Sequence, residues 1–352
     1  MSDFSNKVLT WFDQYGRKDL PWQQNINPYR VWVSEIMLQQ TQVKTVIPYY
    51  HKFMRSFPNV KTLADASQDN VLKHWSGLGY YARARNMHKA AKQVSDEFEG
   101  NFPKSLDEMQ SLSGIGRSTA AAILSISHGQ PHAILDGNVK RVLCRFFAVK
   151  GWPGKASVLK KLWELAEQEL PNKRNADYSQ AMMDLGATLC TRSKPQCETC
   201  PLIKSCLAYK SQSQTTYPEK KSKKKLPERN MIMLIIMDKQ QNIFMQKRPP
   251  TGIWGSLWCF PQFDSSDLAN DWLYQHYNES LESSESLTNM THIFSHFKLH
   301  IQALIIQPKA PINLGVMENS ESLWYNINTE FSGGLAAPVT KLIELLKGTT
   351  NG

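Results

Sequence analysis

The sequence predicts a two-domain protein, with an all-α region followed by an α+β domain. The chain has 352 residues, of which 41% are hydrophobic, so it is long enough to form two cores. Apolar residues recur at three- and four-residue spacing through the first 210 residues, which is typical of amphipathic helices. After a polar, basic stretch at 211–228, the pattern changes to short apolar runs that are typical of strands.

The individual elements are predicted from this spacing and from the glycine and proline turns between them. The predicted helices of the first region are residues 28–38, 42–53, 82–98, 118–127, 137–147, 155–169 and 177–189. The second domain is predicted to contain strands at 231–237, 243–246, 299–306 and 323–327 and a closing helix at 338–347. The predicted organisation is a helical region at 1–210, a basic linker at 211–228 and a second domain at 229–347.

Charge is distributed unevenly along the chain. Residues 1–210 carry 28 Lys and Arg against 18 Asp and Glu, residues 211–230 carry 6 against 2, and residues 231–352 carry 7 against 11. A basic first region favours a polyanion such as nucleic acid as its partner, although ordinary solvated charge would give the same count. The longest apolar run is far shorter than a membrane span, and the first residues lack a secretion-signal pattern. We therefore expect a cytoplasmic protein with no membrane partner.

Four of the six cysteines lie within 17 residues, with the spacing C-x6-C-x2-C-x5-C. They are Cys190, Cys197, Cys200 and Cys206. Four thiolates this close can bind a tetrahedral zinc ion or an iron–sulfur cluster. Zinc ribbons usually contain two C-x2-C pairs, whereas this loop has one, so the uneven spacing favours a [4Fe–4S] cluster over zinc.

A glycine turn and a later aspartate form the second candidate site. Gly114 and Gly116 permit a tight turn and leave backbone N–H groups open at the start of the next predicted helix, an arrangement that binds anions such as phosphate. About 20 residues further on, Asp136 and Asn138 stand at the start of another helix. Either residue could simply be a helix N-cap. Together with the turn, however, they have the layout of a helix–hairpin–helix module followed by a catalytic aspartate.

On these features the chain resembles the endonuclease III superfamily of DNA base-excision glycosylases and, within it, the MutY-type adenine DNA glycosylases. The matching stretches are residues 21–43, 75–86, 112–123, 135–143, the cysteine loop at 190–206, and 291–301. The resemblance implies a helix–hairpin–helix glycosylase fold with the hairpin at about 105–127, one [4Fe–4S] cluster as cofactor, and a following Nudix (MutT-like) domain. It also implies that the protein is a monomer in the bacterial cytoplasm and that it is associated with the nucleoid. Its substrate would be adenine mispaired with 8-oxoguanine or guanine in double-stranded DNA.

The resemblance assigns catalysis to two carboxyl groups and an amide. Glu35 lies in an apolar helix that would desolvate it and raise its pKa, so it could protonate adenine as a general acid. Asp136 is expected to remain ionised, helped by the helix N-terminus, and to stabilise the cationic sugar. Asn138 would orient Asp136 or the sugar phosphate. From periodicity alone, Glu35 could instead be a surface residue of an amphipathic helix.

The residue at position 118 in the hairpin decides whether an amine or water attacks the sugar. In the bifunctional relatives a lysine at the position of Ser118 attacks C1′ of the sugar as an amine and leads to strand cleavage. With serine at this position, we expect water to be used and the strand to stay intact. Lys140 lies one turn beyond Asp136 and receives no productive role.

Further residues are assigned to DNA binding by the resemblance. Gln40 and Tyr80 match the residues that fill the gap left by an extruded base, although a buried Gln40 and a core Tyr80 are the ordinary alternatives. Trp22 and Gln180 match positions that line the adenine pocket. The hairpin residues Gly114, Gly116 and Ser118 would contact DNA.

The second domain lacks the glutamate-rich box G-x5-E-x7-R-E-x2-E-E of Nudix hydrolases, so pyrophosphate hydrolysis is not expected. Phe294, Ser295 and His296 match the loop with which the family recognises 8-oxoguanine. Two other functions remain open from the sequence: an endonuclease III-like pyrimidine glycosylase with lyase activity, and a non-catalytic DNA-binding clamp.

Overall fold

The computed structural model describes residues 2–221, 225–309 and 321–350. Within this part the chain forms two units, which are described separately. The first comprises Met1–Asp65 and Asn86–Lys223, and the second comprises Ala66–Arg85 and Lys224–Gly352. The prediction of a helical region followed by an α+β domain is confirmed. None of the described helices combines the length and the apolar character that crossing a bilayer requires.

The first unit is helical. Its helices are α1 (Asp3–Tyr15), α2 (Pro28–Leu38), α3 (Val43–Ser56), α4 (Val60–Asp65), most of α6 (Ala82–Glu97), α7 (Leu106–Ser111), α8 (Arg117–His128), α9 (Gly137–Phe146), α10 (Ala156–Gln168), α11 (Asn175–Asp184) and α12 (Leu207–Lys210). A single turn of π-helix, Leu185–Leu189, continues α11. The sequence prediction missed α1, α4 and α12, and α7 was covered only by the hairpin that the resemblance implies at about 105–127.

The core of the first unit packs α1 against α8–α11. Phe4, Val8 and Phe12 of α1 are buried with Leu143 of α9 and Leu185 of the π-helical turn in one hydrophobic cluster. Helix α8 packs against both α2 and α11. The hairpin helix is therefore the element that connects α2 to the cluster formed by the later helices.

The second unit contains two sheets. The strands are β1 (Glu228–Ile236), β2 (Asn242–Lys247), β3 (Trp258–Cys259), β4 (Gln262–Phe263), β5 (Glu285–Ile293), β6 (Lys298–Ile306) and β7 (Ser322–Asn326). One sheet has the order β4-β1-β6-β5, with β1 and β6 parallel, and the other has the antiparallel order β3-β2-β7. Helices α5 (Gln68–Trp75), α13 (Ser266–Tyr277) and α14 (Ala337–Thr350) complete the unit.

The segment 66–85 lies in the second unit, although the sequence places it inside the helical region. Its side chains bind the later chain directly: Tyr81 Oη donates to the Leu335 carbonyl at 3.2 Å, and an Arg85 guanidinium nitrogen donates to the Gly255 carbonyl at 2.7 Å. Asp69 also forms an ion pair with Lys247 of β2 at 2.9 Å. These bonds span about 170 to 250 residues of chain, so no local pattern signals them.

The first part of the predicted linker is fixed to the first unit. Arg145 Nε donates to the Tyr217 carbonyl at 3.0 Å, and Lys221 lies 5.0 Å above the ring of Trp152. Residues 222–224 of that linker lie outside the described residues. The segment 211–221 therefore belongs to the folded helical unit rather than to a solvated spacer.

Candidate active site

Glu35 lies on α2, a helix whose side chains are mostly buried. Asn27 caps this helix by accepting the Arg30 N–H at 2.9 Å, and Trp32, Ile36 and Met37 are buried around the turn that carries Glu35. Burial, followed by the nearby Asp136 carboxylate, raises the pKa of Glu35 to about 8. The apolar surroundings of this helix therefore favour the protonated form of the carboxyl group at neutral pH.

Asp136 caps the N-terminus of α9. Its carboxylate accepts the Val139 N–H at 2.7 Å and the Asn138 side-chain amide at 3.1 Å. Burial raises the pKa of Asp136, and the hydrogen bonds and the charge of Arg141 act in the opposite direction without reversing the shift. Desolvation therefore outweighs the helix start in setting the direction of the pKa shift of Asp136. Asp136 caps α9 and also lies close enough to Glu35 for its charge to act there. Its role as an N-cap therefore does not exclude a catalytic role.

Ser118 holds the chain that leads into Asp136. Its hydroxyl oxygen accepts the Leu135 N–H at 2.9 Å, one residue before the carboxylate. Since Ser118 is on α8 and α8 packs against α2, this bond links the aspartate segment to the helix that carries Glu35. The hydroxyl is occupied by a backbone contact.

The glycine turn has the geometry expected of an anion site. Gly114 has φ +79°, and a Cβ there would lie 2.8 Å from Asn86 Cβ, so only glycine fits. Gly116 is the N-cap of α8, no described side chain caps that helix, and a Cβ at Gly116 would meet no atom within 4 Å. Arg117 is tied to Glu167 and lies 4.0 Å above the Trp163 ring. Arg117 is exposed but paired with Glu167, so the open backbone N–H groups are the donors that this turn leaves available.

Arg141 connects the aspartate segment to the cysteine loop. One terminal nitrogen of its guanidinium donates to Asn138 Oδ1 at 2.8 Å and to the Gly186 carbonyl at 2.7 Å, and Nε donates to the Cys190 carbonyl at 2.7 Å. A Cβ at Gly186 would lie 2.5 Å from Asn138 Cβ, so the π-helical turn can approach α9 this closely only with glycine. The sequence analysis did not identify Arg141 or Gly186.

The four cysteines of the loop line one cavity, together with Val142, Phe146, Leu185, Leu202 and other residues. Arg145, only 2% exposed, places a guanidinium nitrogen 3.3 Å from Cys190 Sγ, and Gln214 Nε2 lies 3.9 Å from Cys197 Sγ. Among the described residues, no three His, Cys, Asp or Glu side chains are arranged to hold a metal ion. The sulfurs thus share a cavity, with donors directed at them.

An ion pair that the sequence analysis missed, between Arg17 and Asp184, links the segment before Trp22 to the helix that carries Gln180. Gln180 donates its amide nitrogen to Asp184 Oδ1 at 2.8 Å, and the same carboxylate binds the Arg17 guanidinium at 2.6 Å. Gln23, next to Trp22, donates to the Arg17 carbonyl at 2.9 Å. The turn that carries Trp22 is therefore fastened to α11, which carries Gln180.

Gln40 and Tyr80 share an unusual backbone conformation, each within its own unit. Both are exposed, and both have positive φ, 57° for Gln40 and 50° for Tyr80. A left-handed conformation costs a non-glycine residue about 1 kcal/mol or more, and such residues cluster at functional sites. The structure therefore excludes the two alternatives, in which Gln40 is buried and Tyr80 is a core residue.

The turn between β5 and β6 presents Ser295 and His296. The Phe294 N–H donates to the Phe297 carbonyl at 2.9 Å, and the two phenyl rings stack with centroids 4.6 Å apart. Trp254 lies 5.5 Å from the Phe294 ring. The aromatic side chains anchor the turn, while the serine and histidine are exposed at its tip.

Comparison with known proteins identifies relatives for both parts of the chain. The family model of the HhH-GPD superfamily base excision DNA repair proteins matches residues 33–168, and the model of the NUDIX domain matches residues 232–345. An adenine DNA glycosylase of Buchnera aphidicola is 42% identical over 98% of this chain and 97% of its own length. One from Rattus norvegicus is 33% identical over 88% of this chain and 71% of its own length.

Solved structures show the fold of the helical region. A thermostable thymine-DNA glycosylase superposes with a TM-score of 0.53 at 28% identity, over 59% of this chain and 95% of that one. The endonuclease III of a non-covalent DNA complex superposes with a TM-score of 0.51 at 22% identity, over 59% of this chain and 94% of that one. With full-length relatives of this similarity and both domain models matched, the chain belongs to the adenine DNA glycosylases of the HhH-GPD base-excision-repair superfamily.

Proposed function

We propose that the enzyme hydrolyses the N-glycosidic bond of adenine mispaired with 8-oxoguanine or guanine in duplex DNA, without cleaving the strand. The observation that carries this proposal is the pair Glu35 and Asp136, two carboxyl groups close enough for the Asp136 charge to raise the pKa of Glu35. Asp136 accepts two hydrogen bonds, which favour its ionised form over that of Glu35. The pair is therefore suited to hold one proton, on Glu35, and one negative charge, on Asp136.

The proposed reaction follows from this division of roles. Glu35 donates its proton to N7 of the extruded adenine, and the bond between N9 and C1′ breaks with its electron pair moving to the base. The Asp136 carboxylate stabilises the positive charge that develops on the sugar. The Glu35 carboxylate then removes a proton from water as the water oxygen bonds to C1′. No amine attacks the sugar, because Ser118 stands where a lysine would be needed.

Substitution Glu35→Gln should abolish base release and preserve binding. Glutamine has nearly the same shape but cannot donate the proton, so we expect the single-turnover rate to fall at least ~100-fold. The measurement is release of adenine from a duplex containing adenine opposite 8-oxoguanine, with the strand analysed before and after alkali.

Glu97→Gln, at an exposed position of α6, is the matched control. Near-normal rates for Glu35→Gln would contradict the acid role. Strand cleavage by the wild type before alkali would favour a lyase. Duplex binding without any base release by the wild type would favour the clamp.

The rate should also depend on pH in a direction set by Glu35. The protonated form is the active one, and its pKa is about 8. The single-turnover rate should therefore be level from about one pH unit below 8 downward through neutral pH and decline about tenfold per pH unit well above 8. A rate that stays level or rises between pH 8 and pH 10, with DNA binding unchanged, would contradict this assignment.

Gln40 and Tyr80 are proposed to fill the gap left by the extruded adenine. The second unit is proposed to recognise 8-oxoguanine. The exposed Ser295 hydroxyl and His296 ring stand at the tip of a turn that Phe294 and Phe297 hold in shape. An 8-oxo purine differs from guanine at O8 and N7–H, so a hydroxyl that can accept and donate suits this edge.

Ser295→Ala should reduce the preference for 8-oxoguanine over guanine opposite adenine by about fivefold, the equivalent of one hydrogen bond of about 1 kcal/mol. Adenine release from the two mispairs is compared under single-turnover conditions. Ser286→Ala, also exposed and on β5, serves as the control and should keep the preference. An unchanged ratio in Ser295→Ala would remove this hydroxyl from recognition.

The cysteine loop is proposed to hold a [4Fe–4S] cluster through Cys190, Cys197, Cys200 and Cys206. Arg145 supports this: it is a buried cation whose partners among the described residues are carbonyl oxygens and the Cys190 sulfur, with no carboxylate. A buried positive charge needs negative charge nearby, which cluster thiolates would supply. When bound, the cluster would act as a structural brace beneath α9.

Purified protein should contain about four iron and four acid-labile sulfide per chain, the stoichiometry of one cubane cluster. Cys197→Ser should lower both, whereas Cys259→Ala, in the second unit, should lower neither. One zinc per chain and no iron would overturn the cluster assignment.

The residues assigned to base release all lie in the first unit of one chain, which supports action as a monomer. Because the substrate is DNA and relatives of high similarity are bacterial, we place the enzyme in the bacterial cytoplasm, at the nucleoid.

A further inference from the structure

Arg229, near the start of β1, lies beside the turn that carries Ser295 and His296. The first residues of β1 pair in parallel with the first residues of β6, the strand that follows this turn, and Arg229 is opposite Leu299. The guanidinium carbon of Arg229 is 4.7 Å from the centre of the Phe297 ring, and Phe297 is 2% exposed. A buried ring therefore holds an exposed cation next to the tip of the turn.

The charge of Arg229 is not neutralised by any residue that the structure describes. Among those residues, its guanidinium contacts the Phe297 ring and forms no hydrogen bond or ion pair. The adjacent carboxylate, Glu228, is already bound by two other groups: one of its oxygens lies 3.0 Å from Lys298 Nζ, and the other lies 3.0 Å from His300 Nε2. The N–H donors of the Arg229 guanidinium are therefore available to a ligand.

The charge of the surrounding domain gives this cation its significance. Residues 231–352 carry 7 Lys and Arg against 11 Asp and Glu, so the domain as a whole opposes the approach of DNA. A turn that reads a base in a duplex must nevertheless come close to the backbone, because each strand carries one phosphate per ~3.4 Å of helix axis. An available cation beside that turn would offset the local repulsion.

We propose that Arg229 binds a backbone phosphate of the DNA strand that carries 8-oxoguanine, close to the damaged base. The guanidinium donates to the phosphate oxygens while the Phe297 ring keeps it beside the turn. A phosphate contact of this kind fixes the position of the turn on the duplex and carries no information about the base itself, which is left to Ser295 and His296. The proposal deepens the proposed function and rests on it.

A phosphate ligand and a structural support for the turn would behave differently. As a phosphate ligand, Arg229 acts through its charge, so its contribution to binding weakens as salt rises and a lysine can supply it. As a support for the Phe297 ring alone, Arg229 would act through packing. Its loss would then change the preference for 8-oxoguanine over guanine and leave the salt dependence of binding as it was.

The test measures the dissociation constant of a duplex with 8-oxoguanine opposite 2′-fluoro-2′-deoxyadenosine, whose fluorine disfavours a cationic sugar and so keeps the base attached. Arg229→Gln should lower the slope of log Kd against log salt by about 0.9, the value of one phosphate contact, and weaken binding about tenfold at ~50 mM salt. Arg229→Lys should restore the slope. Lys239→Gln removes an exposed charge beyond the other end of β1 and should leave the slope unchanged.

A second measurement identifies the phosphate. Each phosphate within about three nucleotides of 8-oxoguanine is replaced in turn by an uncharged methylphosphonate. At one position the wild type should lose affinity about tenfold, whereas Arg229→Gln should lose less than about twofold, because the contact is already absent. This comparison detects direct contact between the two groups, which a distorted turn would not imitate.

An unchanged slope in Arg229→Gln, or an equal decrease in Lys239→Gln, would overturn the proposal. Equal losses in the wild type and Arg229→Gln at every methylphosphonate position would also overturn it. Absence of adenine release by the wild type from a duplex with natural adenine opposite 8-oxoguanine would instead overturn the proposed function. The slopes would still decide whether Arg229 contacts a phosphate, so the two failures are distinguishable.

Discussion

The hydrogen bonds that fix the Asp136 carboxylate at the first turn of α9 are the constraint on which the rest of the site depends. They orient the group by which the sugar cation would be stabilised, and they bring a second negative charge close to Glu35. Burial raises the pKa of both carboxyl groups, but within the described ranges N–H donors that compensate for lost water reach Asp136 and not Glu35. The asymmetry between two chemically similar side chains therefore arises from one helix start.

Two arginines of α9 connect the segment that carries Asp136 to the cysteine loop. Arg141 contacts the amide that orients Asp136 and the backbone of the cysteine loop, and Arg145, one turn later, contacts the loop again and the segment after it. Each uses several donors on carbonyl oxygens, which an arginine can do because its five N–H groups lie in one plane. Lysine at either position could not make these contacts.

Sequence reasoning identified what local patterns encode. The helix carrying Glu35, the glycine turn and the N-cap at Asp136 are all visible within ten or so residues. The Arg17–Asp184 contact joins residues 167 positions apart, so no spacing rule reveals it. Strand β5 was missed because its residues are exposed or only partly buried, which removes the apolar run that identified β1. The assignment of 66–85 to the second unit was also missed, because the residues that it contacts lie far away in the sequence.

The attachment of Tyr217 to Arg145 changes where the helical unit can be considered to end. A shortened chain that stops at residue 210 would retain all four cysteines yet remove Gln214 from beside Cys197 and leave Arg145 without one of its acceptors. Cys197 Sγ would then lose the amide that contacts it, and the guanidinium beside Cys190 Sγ would be held by fewer bonds. A chain that continues through Lys221 keeps these contacts, so the natural terminus of the catalytic half lies beyond the last cysteine by some fifteen residues.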